Sequence, residues 1–205
     1  VSQSTFRRNQ VLNGVNAALA LGGAVVWNTP SATSIQDCLF EDNTAPAAGA
    51  IGLNNLVIEG FITRCTFRNN SAYPYQPTVL NSVGRGQGGA IAMYSGMPVF
   101  LVDSCIFDGN RATTGGAVFL NVQSNARIRN CTFTRNEALL PGGALAAVSA
   151  GGIVASSFVD DCLFADNKAN WTGGAIWLSA THYEISNVVF RANQVRLCHG
   201  RLPNE

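Results

Sequence analysis

The chain has 205 residues, of which 47% are hydrophobic and only 12% are charged, and its formal net charge is +1. This length and hydrophobic content suffice for one folded core and exclude a disordered protein. The small net charge argues against nucleic acid as a partner, and no apolar run of about 18 residues could span a bilayer directly. We expect one domain over residues 1–205. Because the chain opens on Val1, we also expect a processed or partial chain.

The first element along the chain is a short strand around Phe6, with an asparagine three residues after the phenylalanine. The pair returns six times, as Phe40/Asn43, Phe67/Asn70, Phe107/Asn110, Phe133/Asn136, Phe164/Asn167 and Phe190/Asn193, after the opening Phe6/Asn9. Five copies carry a cysteine two residues before the phenylalanine, namely Cys38, Cys65, Cys105, Cys131 and Cys162. Ser4 and Val188 take that position in the first and last copies. A repeat of this kind indicates stacked structural units.

A second signature, Gly-Gly-Ala followed by an aliphatic residue, separates consecutive copies. It begins at Gly22, Gly88, Gly115, Gly142 and Gly173, with a weaker version at Ala48. Its alanine precedes the next phenylalanine by 15 to 17 residues in five of six cases and by 20 in the other, whereas the whole period varies from 26 to 40 residues. The extra length lies at residues 10–21 and 71–87, which we expect to be insertions at one corner.

Each period contains short β-branched and aromatic stretches broken by Gly, Asn, Ser and Pro, and no window sustains a helical period. Short strands at this repeat length predict a parallel β-helix, in which adjacent coils lie about 4.8 Å apart.

The strand alternation gives the repeat positions physical roles. Cysteine and phenylalanine of Cys-x-Phe share one face, so both should point inward and form core ladders. The asparagine follows the strand, where we expect a left-handed backbone and a turn ladder of carboxamides. The glycine pair should supply a corner with positive φ or close backbone approach.

The cysteines allow three interpretations: disulfides, a metal site or buried thiols. Stacked Cβ atoms about 4.8 Å apart exceed the usual disulfide range of about 3.5–4.5 Å. No Cys-x-x-Cys spacing indicates a metal site. The pattern favours free or mostly free thiols in the core, with some disulfides as the alternative, and we predict no metal and no cofactor. Cys198 lies outside the repeat and could pair with another chain.

Other residues suggest contacts at the surface. Tyr73 and Tyr75 lie in a proline-rich insertion that could act as a binding loop. Asn69 and Asn170 head N-glycosylation sequons at predicted corners, whereas the sequon at Asn130 is assigned to a strand. His182 and His199 lack partners for nucleophilic catalysis.

The paired signatures resemble those of the chlamydial polymorphic membrane proteins, in their repeat region only, and similar repeats occur in surface proteins of other bacteria and of algae. The resemblance covers essentially the whole chain. It implies an all-β fold, a right-handed parallel β-helix or pectin-lyase-like solenoid of about six coils. It also implies a role in adhesion or coat building.

Many β-helices cleave acidic polysaccharides, so an enzyme is the main alternative. Such a site needs converging carboxylates. When the copies are stacked, the acids of each column are separated by intervening coils, as Asp37 and Asp161 are in the column three residues before phenylalanine. We therefore predict no catalytic residue and a non-enzymatic structural protein at the cell surface or outside the cell.

The expected partners are further copies of the chain, in a homo-oligomer or a head-to-tail filament, because the ends of a parallel β-helix expose strand edges. Cell-surface glycans and host or partner proteins are further expected partners. A carbohydrate-binding module that uses Trp27, Trp171 or Tyr75 is a third possibility.

Overall fold

The computed structural model describes residues 1–11, 22–28, 32–54, 59–72, 86–94, 99–121, 125–148, 156–179 and 182–196. In these residues every regular element is a β-strand, and all strand pairs are parallel and join one coil to the next. The strands form one sheet of seven and three sheets of six. The predicted all-β parallel solenoid is therefore confirmed.

Sheet 1 contains the Cys-x-Phe segments. Its strands are Thr5–Arg7 (β1), Leu39–Glu41 (β4), Thr66–Arg68 (β8), Ile106–Asp108 (β12), Thr132–Thr134 (β16), Leu163–Ala165 (β20) and Val189–Arg191 (β24). Sheet 2 follows the asparagine and contains Thr44–Ala45 (β5), Ser71–Ala72 (β9), Arg111–Ala112 (β13), Glu137–Ala138 (β17), Lys168–Ala169 (β21) and Gln194–Val195 (β25). The phenylalanines pair in register throughout sheet 1.

Sheet 3 follows the glycine pair. It contains Val25–Trp27 (β2), Ile51–Leu53 (β6), Ile91–Met93 (β10), Val118–Asn121 (β14), Leu145–Val148 (β18) and Ile176–Ser179 (β22). Sheet 4 leads back to sheet 1 and contains Thr33–Gln36 (β3), Glu59–Thr63 (β7), Val99–Asp103 (β11), Asn125–Arg129 (β15), Ser156–Asp160 (β19) and His182–Ser186 (β23).

The core lies between the four sheets and is built from columns of like side chains. Ring centroids of neighbouring phenylalanines from Phe6 to Phe164 are 4.5–4.9 Å apart, with ring planes within 2–7° of parallel. The five repeat cysteines and an aliphatic column of sheet 3, Ile51 to Leu145, are buried beside them. Stacked aromatic pairs add to the free energy gained by burial, so the phenylalanine column is a major stabilising feature.

The bends on either side of sheet 1 have left-handed backbone, but not at the predicted residues. One bend lies before the cysteine, as at Ser104 with φ 55°, and the other lies two residues after the phenylalanine, as at Arg135 with φ 54°. The prediction of a left-handed asparagine in the turn is therefore wrong. At Asn43, for example, the preceding Asp42 has the positive φ of 56°, and Asn43 itself is fully buried. The bend before each asparagine turns the carboxamide into the stack.

The second glycine of each pair allows neighbouring backbones to approach. A Cβ added at Gly116 would lie 2.1 Å from the Gly143 carbonyl oxygen of the next coil. The first glycine has positive φ in four pairs, for example 63° at Gly115. Both expected uses of the glycine pair are present.

One left-handed bend offers a test in the last coil. Ala192 has φ 50° and an exposed side chain, and L-residues other than Asn and Asp are disfavoured in this region. We expect Ala192→Gly to raise the local opening free energy of this coil by about 0.5–1 kcal/mol. Amide hydrogen exchange at Gln194, whose N–H is bonded to the Asn167 carbonyl, measures the change. The control Ala165→Gly, at a buried strand position, should lower stability, and an equal response of both variants would contradict the explanation.

The two predicted corner insertions fall largely outside the described residues. Ser71–Ala72 is a regular strand of sheet 2, and Gln87 forms a bridge with Thr114, so the second insertion is shorter than the predicted 71–87. Gln10 likewise bridges Thr44. Residues 12–21 and 73–85, with Tyr73 and Tyr75, lie outside the described part.

Candidate functional site

The asparagines form a hydrogen-bonded column along the corner between sheets 1 and 2. In the middle of the stack the Asn110 backbone N–H and Nδ2 both donate to Asn136 Oδ1 at 3.0 Å, and Nδ2 also donates to the Phe67 carbonyl oxygen at 3.0 Å. The same bonds recur from Asn9 to Asn193. The five inner members are fully buried, namely Asn43, Asn70, Asn110, Asn136 and Asn167. Because every bond between carboxamides points toward the C-terminal coil, the column has a direction.

Asn43, near the start of this column, is buried between coils and does not lie in the predicted turn position. The Asn43 backbone N–H and Nδ2 donate to Asn70 Oδ1 at 3.0 and 2.9 Å, and Nδ2 also donates to the Phe6 carbonyl oxygen at 2.9 Å. Asn43 Oδ1 in turn accepts from the backbone N–H and Nδ2 of Asn9. The carboxamide of Asn43 is thus fully engaged between coils and is not available to a ligand at the surface.

The cysteines form a second column, and their sulfur atoms have hydrogen-bond partners. The Cys105 backbone N–H donates to Cys131 Sγ at 3.4 Å, and the Cys105 thiol lies 3.3 Å from the Asp103 carbonyl oxygen. All five repeat cysteines are free and buried. The Ser4 hydroxyl bonds the carbonyl of Ser2 in the equivalent way at 2.8 Å, which explains why serine fits the first copy.

Contact with a neighbouring thiol also affects the chemistry of this column. The hydrogen bond with Cys105, and then burial, raise the pKa of Cys65. Hydrogen bonds with Cys105 and Cys162, and then burial, raise the pKa of Cys131. These two groups are neutral thiols at neutral pH, and neutral buried thiols act as small apolar groups.

The outer edges of sheet 1 carry ion pairs between adjacent coils. Arg64 clamps Asp37 through bonds of 2.7 and 2.8 Å, and this hydrogen bonding lowers the pKa of Asp37. Glu41 lies between two arginines, 2.7 Å from Arg7 and 3.5 Å from Arg68. These carboxylates are thus engaged in linking coils.

Substitution of Asp103 tests how much such an ion pair contributes to the free energy of unfolding. Burial alone would raise the pKa of Asp103, but hydrogen bonds from Asn130, Arg129 and Ser104 outweigh burial and lower it. A lowered pKa means that the stabilisation is present above the ordinary carboxyl pKa and is lost as the pH falls through the lowered value. We expect Asp103→Asn to cost less than about 1 kcal/mol at pH 7, since the pair is only partly buried and Arg129 can turn to solvent. Urea unfolding should show the difference at pH 7 and none near pH 2. A constant difference would refute the electrostatic origin.

The remaining acids and the histidine do not form a metal-binding cluster in the described residues. Asp160 accepts bonds from Ser186 Oγ at 2.7 Å and Asn187 Nδ2 at 3.4 Å. Within the described ranges no three His, Cys, Asp or Glu side chains are arranged to hold a metal ion. His182 is exposed at the start of β23, and His199 and Cys198 lie outside the described residues.

The outer face of sheet 4 carries a depression that the repeat did not predict. Its volume is about 280 Å³, and it is lined by Phe61, Val99, Leu101, Arg127, Arg129 and Phe158. Val99 is 42% exposed, and the Arg127 guanidinium lies 5.0 Å from the centre of the Phe158 ring. We define this as the sheet 4 depression. Apolar side chains beside a cation form a surface that suits a binding partner.

A second unforeseen feature is a hydrophobic cluster on the side of sheet 3 that faces away from the main core. It contains Ala48, Ala92, Phe119 and Ala146, with Tyr94, Val148 and Trp177 packed against it. Phe119 is only 3% exposed, and burial raises the pKa of Tyr94. The middle of this face, from Ala92 to Ala146, is therefore buried, whereas Val26 in the first strand is 46% exposed.

The predicted glycosylation positions lie at bends. Asn69 is exposed with φ 52°, and Asn170 is partly buried, with its backbone N–H bonded to the Ala138 carbonyl. Asn130 also lies in an exposed bend, with φ 53°, just after β15, so its assignment to a strand is wrong. Its Nδ2 is bonded to Asp103 Oδ1 at 2.9 Å.

The aromatic residues considered as carbohydrate platforms do not form one surface among the described residues. Trp27 packs against the main core, whereas Trp171 is 58% exposed at the turn before sheet 3. Exposed apolar groups instead occur at the last coil, where Phe190 is 51% and Val189 is 58% exposed. In the described part, no helix is long and apolar enough to cross a membrane.

The model of the family described as "Right handed beta helix region" matches residues 1–195. No curated protein and no solved structure matches the chain.

Proposed function

The chain belongs to the right-handed β-helix family, and from this premise we propose that it is a non-enzymatic structural protein of the cell surface or extracellular space. In this proposal it is a filament or coat subunit, or an adhesin, and it associates with further copies of itself. The β-helix fold alone does not decide between enzymes and structural proteins, so the proposal rests on the outer surface.

The observation that carries the proposal is that outward carboxylates form ion pairs with arginines of adjacent coils. Glu41, Asp37 and Asp108 each accept bonds from an arginine of an adjacent coil, at 2.6–2.7 Å in the shortest contacts. A hydrolase or lyase needs free carboxylates that converge on one substrate position. Because these carboxylates bind arginines of adjacent coils, they hold the coils together. This supports a protein that acts as a rigid rod.

The proposed location rests on the repeat type and the surface. The paired signatures resemble those of the chlamydial polymorphic membrane proteins and of other surface proteins. The sequons at Asn69 and Asn170 lie in bends, and Asn69 is exposed, as glycan attachment in a secreted protein requires.

A turnover assay tests the non-enzymatic role. Incubation with neutral and uronate polysaccharides, with and without Ca²⁺, should release no reducing ends and no unsaturated products. Electron microscopy of the native material should show rods or a surface layer. Turnover that disappears in Asp160→Asn but persists in Asp37→Asn would overturn the proposal and favour the carbohydrate-active enzyme.

The sheet 4 depression favours an adhesive role as the second candidate function. Its apolar lining and Arg127 suit a partner that offers an apolar group beside an acceptor or an anion, on a cell-surface glycan or a protein. The rigid sheet holds these side chains in fixed positions, which lowers the entropy lost on binding.

Binding to glycan and protein arrays tests this role. We expect the double variant Phe61→Ser/Phe158→Ser to lose at least about tenfold in affinity, as for central apolar contacts of an interface. The matched control is Ile106→Ser, since Ile106 is 47% exposed on the outer face of sheet 1. An equal loss in both variants would assign the binding elsewhere.

A further inference from the structure

We propose that the sheet 4 depression binds an extended segment of a partner protein, in which an acidic residue lies between two large apolar residues on the same side of the segment. This inference rests on the proposed adhesive role and names the class of partner for that site. Three features of the depression support this partner: its row of apolar side chains, its uncompensated guanidinium, and the lack of hydrogen-bond acceptors among the six side chains that line it.

The apolar part of the depression is a row of outward side chains on neighbouring strands. In the register of sheet 4 the row runs through Phe61, Leu101, Arg127 and Phe158. Val99 lies beside this row and is 42% exposed. Burial of apolar side chains against such a surface contributes favourably to binding, and the strands hold the surface in a fixed shape.

Arg127 provides the positive charge within the row. Its side chain is exposed and forms no ion pair with any of the described residues. The guanidinium lies 5.0 Å from the centre of the Phe158 ring, a contact that holds it against the sheet. Arg129 differs, because its Nη2 donates to Asp103 Oδ2 at 3.1 Å. The depression therefore presents one uncompensated charge, which a carboxylate of the partner would match.

The lining side chains favour a polypeptide over a glycan. The two arginines are the only polar residues among the six that line the depression, and a guanidinium donates hydrogen bonds but accepts none. Sugar hydroxyl groups would therefore lose water as an acceptor and gain no acceptor from these side chains, at a cost in free energy. A carboxylate flanked by apolar side chains needs donors and apolar surface, and both are present.

The spacing of the coils sets the arrangement of the partner residues. Adjacent coils are about 4.8 Å apart, so the midpoint of Phe61 and Leu101 lies about 7 Å from Arg127 along the axis. Side chains two residues apart on an extended chain are also about 7 Å apart and point to the same side. A segment that runs along the axis can therefore place an apolar residue over Phe61 and an acidic residue at Arg127. The next apolar residue on that side then comes within reach of the Phe158 ring.

Acidic groups at the borders restrict where the partner carboxylate can lie. Glu184 is exposed and pairs with Phe158 from the next coil, and Glu59 is exposed and pairs with Val99. A partner acid beside either glutamate would meet a like charge, which is unfavourable. The acid is therefore accommodated at Arg127, between the apolar residues of the segment.

Nuclear magnetic resonance titration of the full 205-residue chain, isotope-labelled for detection of its amides, tests the proposal. The probes are the acetylated and amidated peptide Leu-Ser-Glu-Ser-Phe and its two analogues with Gln or Lys in place of Glu, together with a triuronate as a glycan. The protein variants are Arg127→Gln and the matched control Arg191→Gln, which makes the same change at an exposed position of sheet 1. Far-UV circular dichroism and urea midpoints establish that each variant is folded.

We expect the Glu peptide to shift the amide signals of Leu101, Arg127 and Phe158 in a saturable way and to bind about fivefold more tightly than the Gln peptide. Arg127→Gln should remove this difference, whereas Arg191→Gln should preserve it. The proposal is overturned if no peptide binds at these residues, if the three peptides bind equally, or if both variants behave alike. Binding of the triuronate there in place of the peptides would also overturn it, yet would retain the adhesive role. The turnover assay is independent of all these results, so the proposals fail separately.

Discussion

Replacement of Gly116 by alanine should prevent normal stacking of the solenoid, with a loss of more than about 4 kcal/mol in the free energy of unfolding. The added Cβ would lie 2.1 Å from the Gly143 carbonyl oxygen and 2.8 Å from two backbone atoms of Glu137. These atoms belong to the adjacent coil and are fixed by hydrogen bonds, so the coils must move apart to admit a methyl group. Soluble yield, far-UV circular dichroism and urea unfolding measure the effect.

Gly109→Ala is the matched control for this substitution. Gly109 has φ 66°, and an added Cβ would meet only the side chain of Asn69, with Oδ1 at 2.6 Å. A side chain at an exposed bend can move aside, so the cost should be about 1 kcal/mol, from the left-handed backbone. A Gly116→Ala protein as stable as Gly109→Ala would show that the coils are not packed as closely as the structure places them.

Loss of the Asn110 carboxamide should cause the second large decrease in the free energy of unfolding. Asn110→Ala removes the acceptor of the Asn70 N–H and the donor to the Phe67 carbonyl oxygen, each at 3.0 Å in a buried setting. A buried polar group left without a partner costs about 1–3 kcal/mol, so we expect a total loss of about 3 kcal/mol in unfolding free energy. Urea unfolding followed by circular dichroism gives this value.

Two further variants distinguish the carboxamide column from simple packing. Asn9→Ala removes the exposed first member and should cost less than about 1 kcal/mol, because water replaces the lost bond. Asn110→Asp keeps the shape but cannot donate to the Phe67 carbonyl oxygen while ionised, so at pH 7 it should be less stable than Asn110→Ala. An Asn110→Asp protein with wild-type stability would contradict the role of the Nδ2 donor.

The repeat was sufficient to predict the fold because the inward columns consist of identical residues. Cysteine, phenylalanine and asparagine recur at fixed spacing, and strand alternation then places Cys105 and Phe107 on one face. A further inward column was open to the same reasoning but was missed: an alanine two residues after the asparagine in five coils, as at Ala112 and Ala138 in sheet 2.

The outer surface could not be predicted in the same way, because its residues do not repeat. The left-handed bends hold Gln, Asp, Arg, Ser, Asn, Ala or Gly, so no residue type marks them, and asparagine was assigned that conformation by its general preference. At Asn43 this placed a buried side chain in the turn, one residue beyond the true bend at Asp42.

The sheet 4 depression escaped prediction for a related reason. It combines Phe61, Leu101 and Phe158, which occupy one outward row with Arg127 between the last two. Only the register of the strands reveals that row.

The bends around sheet 1 also affect which substitutions such a chain can accept during evolution. Their side chains point away from the core, and the structure accepts an acid, a base, an amide or no side chain there without altering the strands on either side. New surface chemistry can therefore arise one coil at a time while the interior stays the same. A solenoid of this type can diversify what it presents to its surroundings at little cost to its ability to fold.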